Sequence, residues 1–347
     1  MPSTRLAACT HLESILAAPP TPSGDAAIRD FLLASNDRAL TPALTPDQLA
    51  GYTDALRQAS IPLPLTTDER AAIVDTCGTG GDLAATFNIS TAAAILAAAC
   101  DVPIAKHGNR ASTSHCGSAD VLEALGIPLQ TSPDSAAAAL REHNFAFLFA
   151  PAFHPALARV APIRRALGVR TFFNLLGPLS NPAGARRQLI GVYDPALVPL
   201  LAQTLALLGV DHALVVHGFP PEDSPESASL DEITLASSTL VAEILGSAIL
   251  EFTITPAAFD ISPHTGANPY AGAHSPRTTA SDNARILTAI LTNQLHGPPR
   301  EIVLANTAAV LRVAGRATSW KQGFDIAAEA INSGAARRKL EQLSAPR

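Results

Sequence analysis

The sequence predicts an α/β protein in which a small helical domain precedes a large α/β domain with a mostly parallel central sheet. Three observations predict it. After Arg70, short β-branched runs end in glycine loops and lead into helical stretches, an alternation that implies a parallel sheet with helices on both faces. Residues 1–70 are instead rich in Ala and Leu, are punctuated by Pro19-Pro20, Pro42 and Pro46, and show no alternating strand. The chain of 347 residues, 47% hydrophobic and 16% charged, is long and apolar enough for a large domain plus a small one.

Taken in order, the N-terminal part reads as short helices. Thr45-Pro46-Asp47 is a helix start, with Thr45 as cap and proline in the first turn. Leu6-Ala7-Ala8-Cys9 looks like a lipoprotein cleavage box, but the five residues before it are too few for an apolar signal stretch, so it reads as helix. The strands are expected at Ile73–Thr76, Val102–Lys106, Phe145–Phe149, Ala213–Val216 and Glu301–Leu304. Two segments break the rhythm. Residues 151–182, with their prolines, are expected to leave the sheet and pack on the N-terminal helices, and Phe219–Ser229 reads as a solvated loop. The division is thus 1–70 with part of 151–182 as the helical domain and 71–347 as the α/β domain.

Thirty acidic against 24 basic residues give a net charge of -6, which argues against a surface for nucleic acid or anionic membrane. Three of the bases are lysines, Lys106, Lys321 and Lys339, so a lysine inside a motif carries weight. Cys9, Cys77, Cys100 and Cys116 show neither CxxC pairing nor disulfide-scaffold density, which points to a reducing, cytoplasmic setting. The most apolar run, Ala92–Cys100, falls well short of the ~20 residues that span a bilayer.

Three motifs carry chemistry. The first is Asp75-Thr76-Cys77-Gly78-Thr79-Gly80-Gly81-Asp82, followed by Thr86-Phe87-Asn88-Ile89-Ser90-Thr91 at a helix start. Glycines let backbone N–H groups approach an anion, and a helix N-terminus adds unpaired N–H groups and a positive dipole end. A tight turn with an ordinary cap is the plainer alternative. A dinucleotide fingerprint would need glycine where Leu83 stands, and no Lys-Ser or Lys-Thr follows the glycines as in a Walker loop. The second motif, Lys106-His107-Gly108-Asn109-Arg110-Ala111-Ser112-Thr113-Ser114, follows a strand and suits phosphate and sugar oxygens; Ser118 beyond it is either a helix cap or a phosphate ligand. The third is Leu230-Asp231-Glu232-Ile233, whose adjacent carboxylates call for a cation such as Mg2+ unless they form an exposed acidic turn.

These motifs, with Phe149–Pro155 and Asn174–Pro182, resemble the anthranilate phosphoribosyltransferases of tryptophan biosynthesis from about residue 45 to the end, and Lys-His-Gly-Asn-Arg is highly specific to that family. The resemblance implies a nucleoside phosphorylase/phosphoribosyltransferase-like fold and a homodimer formed through the helical part. It implies transfer of phosphoribose from phosphoribosyl pyrophosphate (PRPP) to the amine of anthranilate. Carried over position by position, Gly78, Gly81, Asp82, Thr86, Asn88, Ile89, Ser90, Thr91, Lys106, His107, Gly108, Asn109, Arg110, Ala111, Ser112, Thr113, Ser114 and Ser118 would hold PRPP. Ser90, Asp231 and Glu232 would bind Mg2+, as two ions. Gly78, Asn109, His154 and Arg164 would meet anthranilate, with His107 the candidate for taking the late proton. Contact with anthranilate synthase is a further implied partnership. Leu83 stands where the family commonly has glycine.

A pyrimidine nucleoside phosphorylase is the enzyme alternative of similar fold, but it lacks Lys-His-Gly-Asn-Arg and a paired Asp-Glu. A nucleic-acid-binding relative would be expected to show a basic stripe, against which the net charge of -6 argues.

Overall fold

Threonines start the helices of the N-terminal part. The computed structural model describes residues 3–34, 44–80, 86–111, 116–168, 171–221, 229–266, 270 and 279–345. Helix α1 (Arg5–Leu16) is capped by Thr4, α2 spans Pro22–Ala34, and α3 (Pro46–Gln58) and α4 (Thr67–Ala72) open with reciprocal boxes, Thr45 with Gln48 and Thr66 with Glu69. Each box satisfies N–H groups that a helix start leaves unpaired.

The sheet follows, with β1 (Val74–Gly78), β2 (Ile104–Gly108), β3 (Leu129–Gln130), β4 (Phe145–Phe149), β5 (Arg187–Gly191), β6 (His212–Gly218), β7 (Thr239–Leu245) and β8 (Ala248–Ile254). Its order is β3-β4-β2-β1-β5-β6-β7-β8, parallel from β3 to β6 and antiparallel across β6-β7-β8. The connections carry α5 (Ile89–Ala99), α6 (Ser118–Ala124), α7 (Pro133–His143), α8 (Ala150–Phe153), α9 (Val160–Leu167), α10 (Phe173–Leu179) and α11 (Leu197–Leu207). Beyond β8 lie α12 (Ala280–Leu291), α13 (Pro298–Val313), α14 (Trp320–Asn332) and α15 (Ala335–Ser344).

The strand expected at Glu301–Leu304 is not one: those residues lie inside α13. Their short apolar run is one part of a helix buried on nearly every side, from Ile302 to Val313, so it lacks the polar face that would betray a 3.6-residue period. Gly297-Pro298, glycine followed by proline at the first helical position, is the signal that identifies the helix. Strands β3, β5, β7 and β8 were not among those expected, although the hairpin β7-β8 joins its strands by a two-residue turn with Gly246 at φ 59°.

Period-two alternation divides the sheet residues between two cores. Leu189, Leu214, Val216 and Val241 face α5, α13 and α14, whereas Ile190, Val215, Ala242 and Ile244 face a cluster that includes Leu12 of α1, Leu49 and Tyr52 of α3 and Leu176 of α10. Within that second cluster Phe172 stacks on Tyr52 at 4.7 Å and meets Phe31 edge-on at 5.5 Å, tying residues 172–179 to the N-terminal helices. Arg57 Nε donates to Leu179 O (2.8 Å), and Arg70 reaches Ala183 O (2.8 Å) and Leu63 O (2.5 Å), so the connecting backbone is satisfied where it crosses between helices and sheet.

The chain runs outward from β1 to β2 and β4, then returns to place β5 on the other side of β1. That reversal opens a crevice at the carboxyl ends of β1 and β5, the place where ligands sit in open α/β sheets. Strands β1, β2, β5 and β6 all end in glycine. A Cβ at Gly78 would stand 2.1 Å from Asp231 Oδ2, one at Gly191 1.5 Å from Asp231 O, and one at Gly218 2.7 Å from Glu232 O. The segment 230–233 therefore lies across bare strand ends, paired to β6 by reciprocal 2.9 Å bonds between Gly218 and Leu230.

Two outcomes follow from this packing. Phe172→Ala should destabilise the protein by about 3–5 kcal/mol, read from the denaturation midpoint; a loss under about 1 kcal/mol would mean the aromatic cluster does not tie the helices together. Gly191→Ala should cost roughly 1–3 kcal/mol or more and expose the Ile233 amide to hydrogen exchange, because the obstructing atom is backbone; wild-type stability and protection would contradict the close approach.

Candidate active site

At the end of β1 the chain turns through Thr79, whose N–H donates to Gly191 O (2.9 Å), into Gly80 at φ 69°, where glycine is the favoured residue. Asn88 forms the N-cap of α5 but makes no side-chain cap bond, so the first-turn donors of that helix are left for other acceptors. The side-chain oxygens Thr79 Oγ1, Asn88 Oδ1 and Thr91 Oγ1 are buried and have no hydrogen-bond partner among the described residues. Buried polar atoms of this kind are normally paired, so three around one crevice mark a place built for a polar ligand.

Strands β1 and β2 pair at Val74 and Ile104, and beyond that point side chains take over. Asp75 Oδ1 accepts the His107 N–H (3.2 Å), while Lys106 Nζ donates to Thr76 O (2.5 Å) and Ser90 Oγ (3.2 Å). Lys106 is 1% exposed. Burial pushes the Asp75 carboxyl up to about 6 against the opposing pull of Asn181 and Lys106. The ammonium thus sits under the N-terminus of α5, adding positive charge where the helix dipole is already positive.

The acidic pair faces the same crevice. Asp231 Oδ2 accepts the Gly80 N–H (2.8 Å) and Glu232 Oε1 the Ser90 N–H (3.0 Å), so the carboxylates reach the two halves of the cradle. Glu232 is 9% exposed, which overturns the exposed-turn alternative. The chemistry of the set fits Mg2+: two carboxylates and the Ser90 hydroxyl are hard oxygen donors, and Mg2+ commonly takes one or two carboxylates alongside phosphate oxygens.

Across β2 lies a pair of imidazoles. His107 Nδ1 is 3.2 Å from Gly177 O and His107 Nε2 is 3.2 Å from His154 Nε2. Burial, then the facing His154, takes His107 down to about 3, and burial takes His154 to about 4, so both rings are neutral at pH 7. A carbonyl can only accept, so the His107 proton is on Nδ1, its Nε2 accepts, and His154 Nε2 donates. His154 Nδ1 is buried, and the backbone of Ser180 beside the ring pulls against the effect of burial. Both ring nitrogens of His107, the candidate proton acceptor, are therefore engaged.

Arg164 and Arg165 share α9, where neighbours diverge by about 100°. Arg165 is exposed, whereas Arg164 is partly buried, donates to Asn174 Oδ1 (2.8 Å) and lies over the Phe173 ring at 5.9 Å. Asn174 and Gly177 belong to the same helix, α10, so Arg164 and His107 are both anchored to it.

Ile89 and Arg110 stand elsewhere than expected, and the surroundings of the other loop residues differ one by one. Ile89 has its side chain in the core and its N–H on Phe87 O (2.8 Å), so it offers the crevice neither. Arg110 turns away onto α6, bonding Asp120 (3.1 Å) and Glu123 (2.8 Å), and packs over Phe149. Asp120 also holds the N–H groups of Ala111 (3.1 Å) and Gly117 (2.9 Å), and the helix cap is Gly117 rather than Ser118. Asn109 is exposed, with Oδ1 on the Arg110 N–H (2.7 Å), and Gly108 and Ser118 adjoin one another. Thr86 is partly exposed ahead of α5. Gly81, Asp82, Leu83, Ser112, Thr113, Ser114 and most of the expected loop at 219–229 lie outside the described residues.

Two asparagines that sequence reasoning missed hold this site from behind. Asn283 Oδ1 of α12 accepts the Asn88 N–H (3.2 Å), and Asn306 of α13 brackets Ile233, with Oδ1 on its N–H (3.0 Å) and Nδ2 on its carbonyl (3.0 Å). For Asn306 the available signal was a polar amide inside a largely apolar helix, whereas Asn283 sits in the polar first turn of α12 and gave none.

A family profile described as "Glycosyl transferase family, a/b domain" matches residues 70–337. The anthranilate phosphoribosyltransferase of Thiobacillus denitrificans is 43% identical over 331 residues, covering 91% of this chain and 92% of that protein. That of Nitrosospira multiformis is 47% identical over 302 residues, covering 86% and 81%. Among solved structures, anthranilate phosphoribosyltransferase from Thermus thermophilus has a TM-score of 0.84 at 35% identity, covering 99% of this chain and 95% of that one. The Saccharomyces cerevisiae enzyme in complex with PRPP and Mg has a TM-score of 0.83 at 30% identity, covering 98% and 92%. With its fold, its motifs and these relatives in agreement, the chain belongs to the anthranilate phosphoribosyltransferase family.

Proposed function

We propose that this protein transfers the phosphoribosyl group of PRPP to the amine of anthranilate, giving N-(5-phosphoribosyl)anthranilate and pyrophosphate in tryptophan biosynthesis. The observation that carries the reading is the meeting of the Gly78–Gly80 turn, the start of α5, Lys106 and the Asp231-Glu232 pair at one crevice. In the reaction the bond from ribose C1 to the pyrophosphate oxygen breaks with its electrons leaving on pyrophosphate. The amine lone pair forms the C1–N bond, and the nitrogen then loses a proton. Charge develops on the leaving group, so donors fixed beforehand around it lower the barrier most. Lys106 supplies such a charged donor, and the Gly80 and Ser90 N–H groups, which bond Asp231 and Glu232, hold the acidic pair at the same place. Ser90, Asp231 and Glu232 would hold Mg2+, as two ions, which when bound would offset the negative charge on the pyrophosphate oxygens.

Arylamines are neutral at pH 7, so the acceptor side works by positioning. Arg164 reads the anthranilate carboxylate, Gly78, Asn109 and His154 line the same end, and His107, with both nitrogens engaged, orders His154. Gly81, Asp82, Thr86, Asn88, Thr91, Gly108 and residues 111–114 with Ser118 complete the donor cradle. Two bodies carry these groups, residues 1–70 with 151–182 and residues 71–347. The same reading makes the protein a cytoplasmic homodimer assembled through its helical part, where Leu6 is 77% and Leu33 46% exposed, in contact with anthranilate synthase. Among the described residues no helix is long and apolar enough to cross a membrane.

The primary test is loss of anthranilate fluorescence on mixing with PRPP and Mg2+; a protein that leaves it unchanged does not have this activity. Replacing Asp231 and Glu232 together by Ala should abolish Mg2+-dependent turnover, and retained turnover would remove the pair from the metal site. Arg164→Ala should weaken anthranilate binding by roughly 1.5–3 kcal/mol and leave PRPP binding nearly unchanged, while Arg165→Ala changes both little; the reverse ranking would reassign the acceptor site.

The imidazole pair also sets a pH dependence. An unfolded histidine titrates near 6.5, whereas His107 and His154 stay neutral to about 3 and 4. Between those limits the unfolded chain binds protons that the folded one refuses, so the pair's contribution falls as pH drops from about 6.5 to 4. Asp75, raised to about 6, acts in the opposite sense over much of that window, so the comparison of variants is the useful one. Stability of His154→Gln, measured by denaturant between pH 7 and 4, should decline less steeply than wild type. Parallel curves would mean that the rings are not buried as neutral groups.

A further inference from the structure

We propose that Asn306 is a positioning residue that sets the metal-binding geometry of the Asp231-Glu232 pair, an inference that rests on the reading of that pair as the Mg2+ site. Asn306 lies in the middle of α13, is 0% exposed, and is surrounded along its helix by buried apolar residues. An amide in such a place costs free energy unless its hydrogen bonds are made. Here they are. Oδ1 accepts the Ile233 N–H (3.0 Å), while Nδ2 donates to Ile233 O (3.0 Å) and to Ile302 O (2.9 Å) of its own helix.

The pairing of one primary amide with both sides of one residue's backbone fixes the plane and height of the chain there. Ile233 immediately follows Glu232, so the peptide that leaves the acidic pair is set by Asn306. The peptide that enters it is set by the paired Gly218 and Leu230, and the carbonyl of Asp231 rests against Gly191. Of these three restraints, Asn306 is the one supplied by a side chain from outside the sheet. Two carboxylates side by side repel each other, and the bracket opposes the shift of the segment that this repulsion favours. The asparagine thus converts the position of a helix packed beneath the sheet into the placement of two ligands.

The test uses the full chain and calorimetric binding of inorganic pyrophosphate over a series of Mg2+ concentrations, a readout independent of turnover. Asn306→Ala should raise the Mg2+ concentration needed for half-maximal pyrophosphate binding at least tenfold, with metal-free pyrophosphate binding changed less than twofold. Thr307→Ala serves as the control for stability alone, since that buried hydroxyl donates within its own helix to Val303 O (2.7 Å); it should lower Tm and leave the Mg2+ requirement within twofold. If Asn306→Ala does not fold, Asn306→Ser and Asn306→Asp carry the same measurement. The serine keeps one hydroxyl toward Ile233. The aspartate keeps the acceptor but sets an oxygen against Ile233 O and Ile302 O. Both should raise the Mg2+ requirement. An Mg2+ requirement unchanged in every folded Asn306 variant, or raised equally by Thr307→Ala, would overturn the positioning role. Asp231→Asn separates the two readings: if it too leaves the Mg2+ requirement unchanged, the metal-site assignment fails instead.

Discussion

A chain segment can cross the ends of packed strands only where those strands carry no side chains, and this constraint organises the protein. Gly78, Gly191 and Gly218 end three adjoining strands, and a single added carbon at any of them would collide with the segment bearing Asp231 and Glu232. The acidic pair can therefore lie directly on the sheet, beside the turn after β1 and the start of α5. Its carboxylates then come within 2.8 Å and 3.0 Å of the backbone N–H groups of Gly80 and Ser90. Two carboxylates and the backbone donors of a glycine turn and a helix start are brought together by the absence of three β-carbons.

The electrostatics of the crevice follow from burial. Lys106 is held beneath α5 by Thr76 O and Ser90 Oγ, with the Asp75 carboxyl nearby in the gap where β1 and β2 cease to pair. A lysine at 1% exposure is costly to keep charged without such partners. The arrangement makes one positive charge point toward a place where a helix terminus and turn N–H groups already favour an anion. Low local dielectric then strengthens each of these interactions relative to the same contacts at a surface.

Helix α10 is held in place through its main-chain carbonyls. Gly177 O meets His107, Pro178 O accepts from Gln188 Nε2 at 2.9 Å, and Leu179 O accepts from Arg57. Carbonyls at a helix end are the groups that lack partners within the helix, so the end of α10 is suited to being gripped from the sheet. Because Arg164 bonds Asn174 on that helix, the arginine is carried by the same element that fixes the imidazole pair. Arg164 thereby keeps its place relative to His107 even though the two lie far apart in the chain.

How much of this was legible depends on whether the signal is local. The Thr45 cap, the glycine turn at 78–80, the strands around Asp75 and Lys106 and the family motifs are local, because each reflects a backbone conformation or chemistry that neighbouring residues impose. Glu301–Leu304 defeated the reading because a helix buried all round and a buried strand share an apolar run, and what decides between them is the packing on every side. The sequence alone likewise presented Arg110 as a ligand beside Lys106, whereas the α6 carboxylates at positions 120 and 123 capture it. Nor could it reveal Asn306, 73 residues from the backbone it holds. What the sequence by itself determined was the inventory of chemistry and the places where the backbone must turn. What the tertiary structure decided was which groups face one another, since burial, tautomer and hydrogen-bond pairing depend on elements brought together only when the sheet closes over its helices.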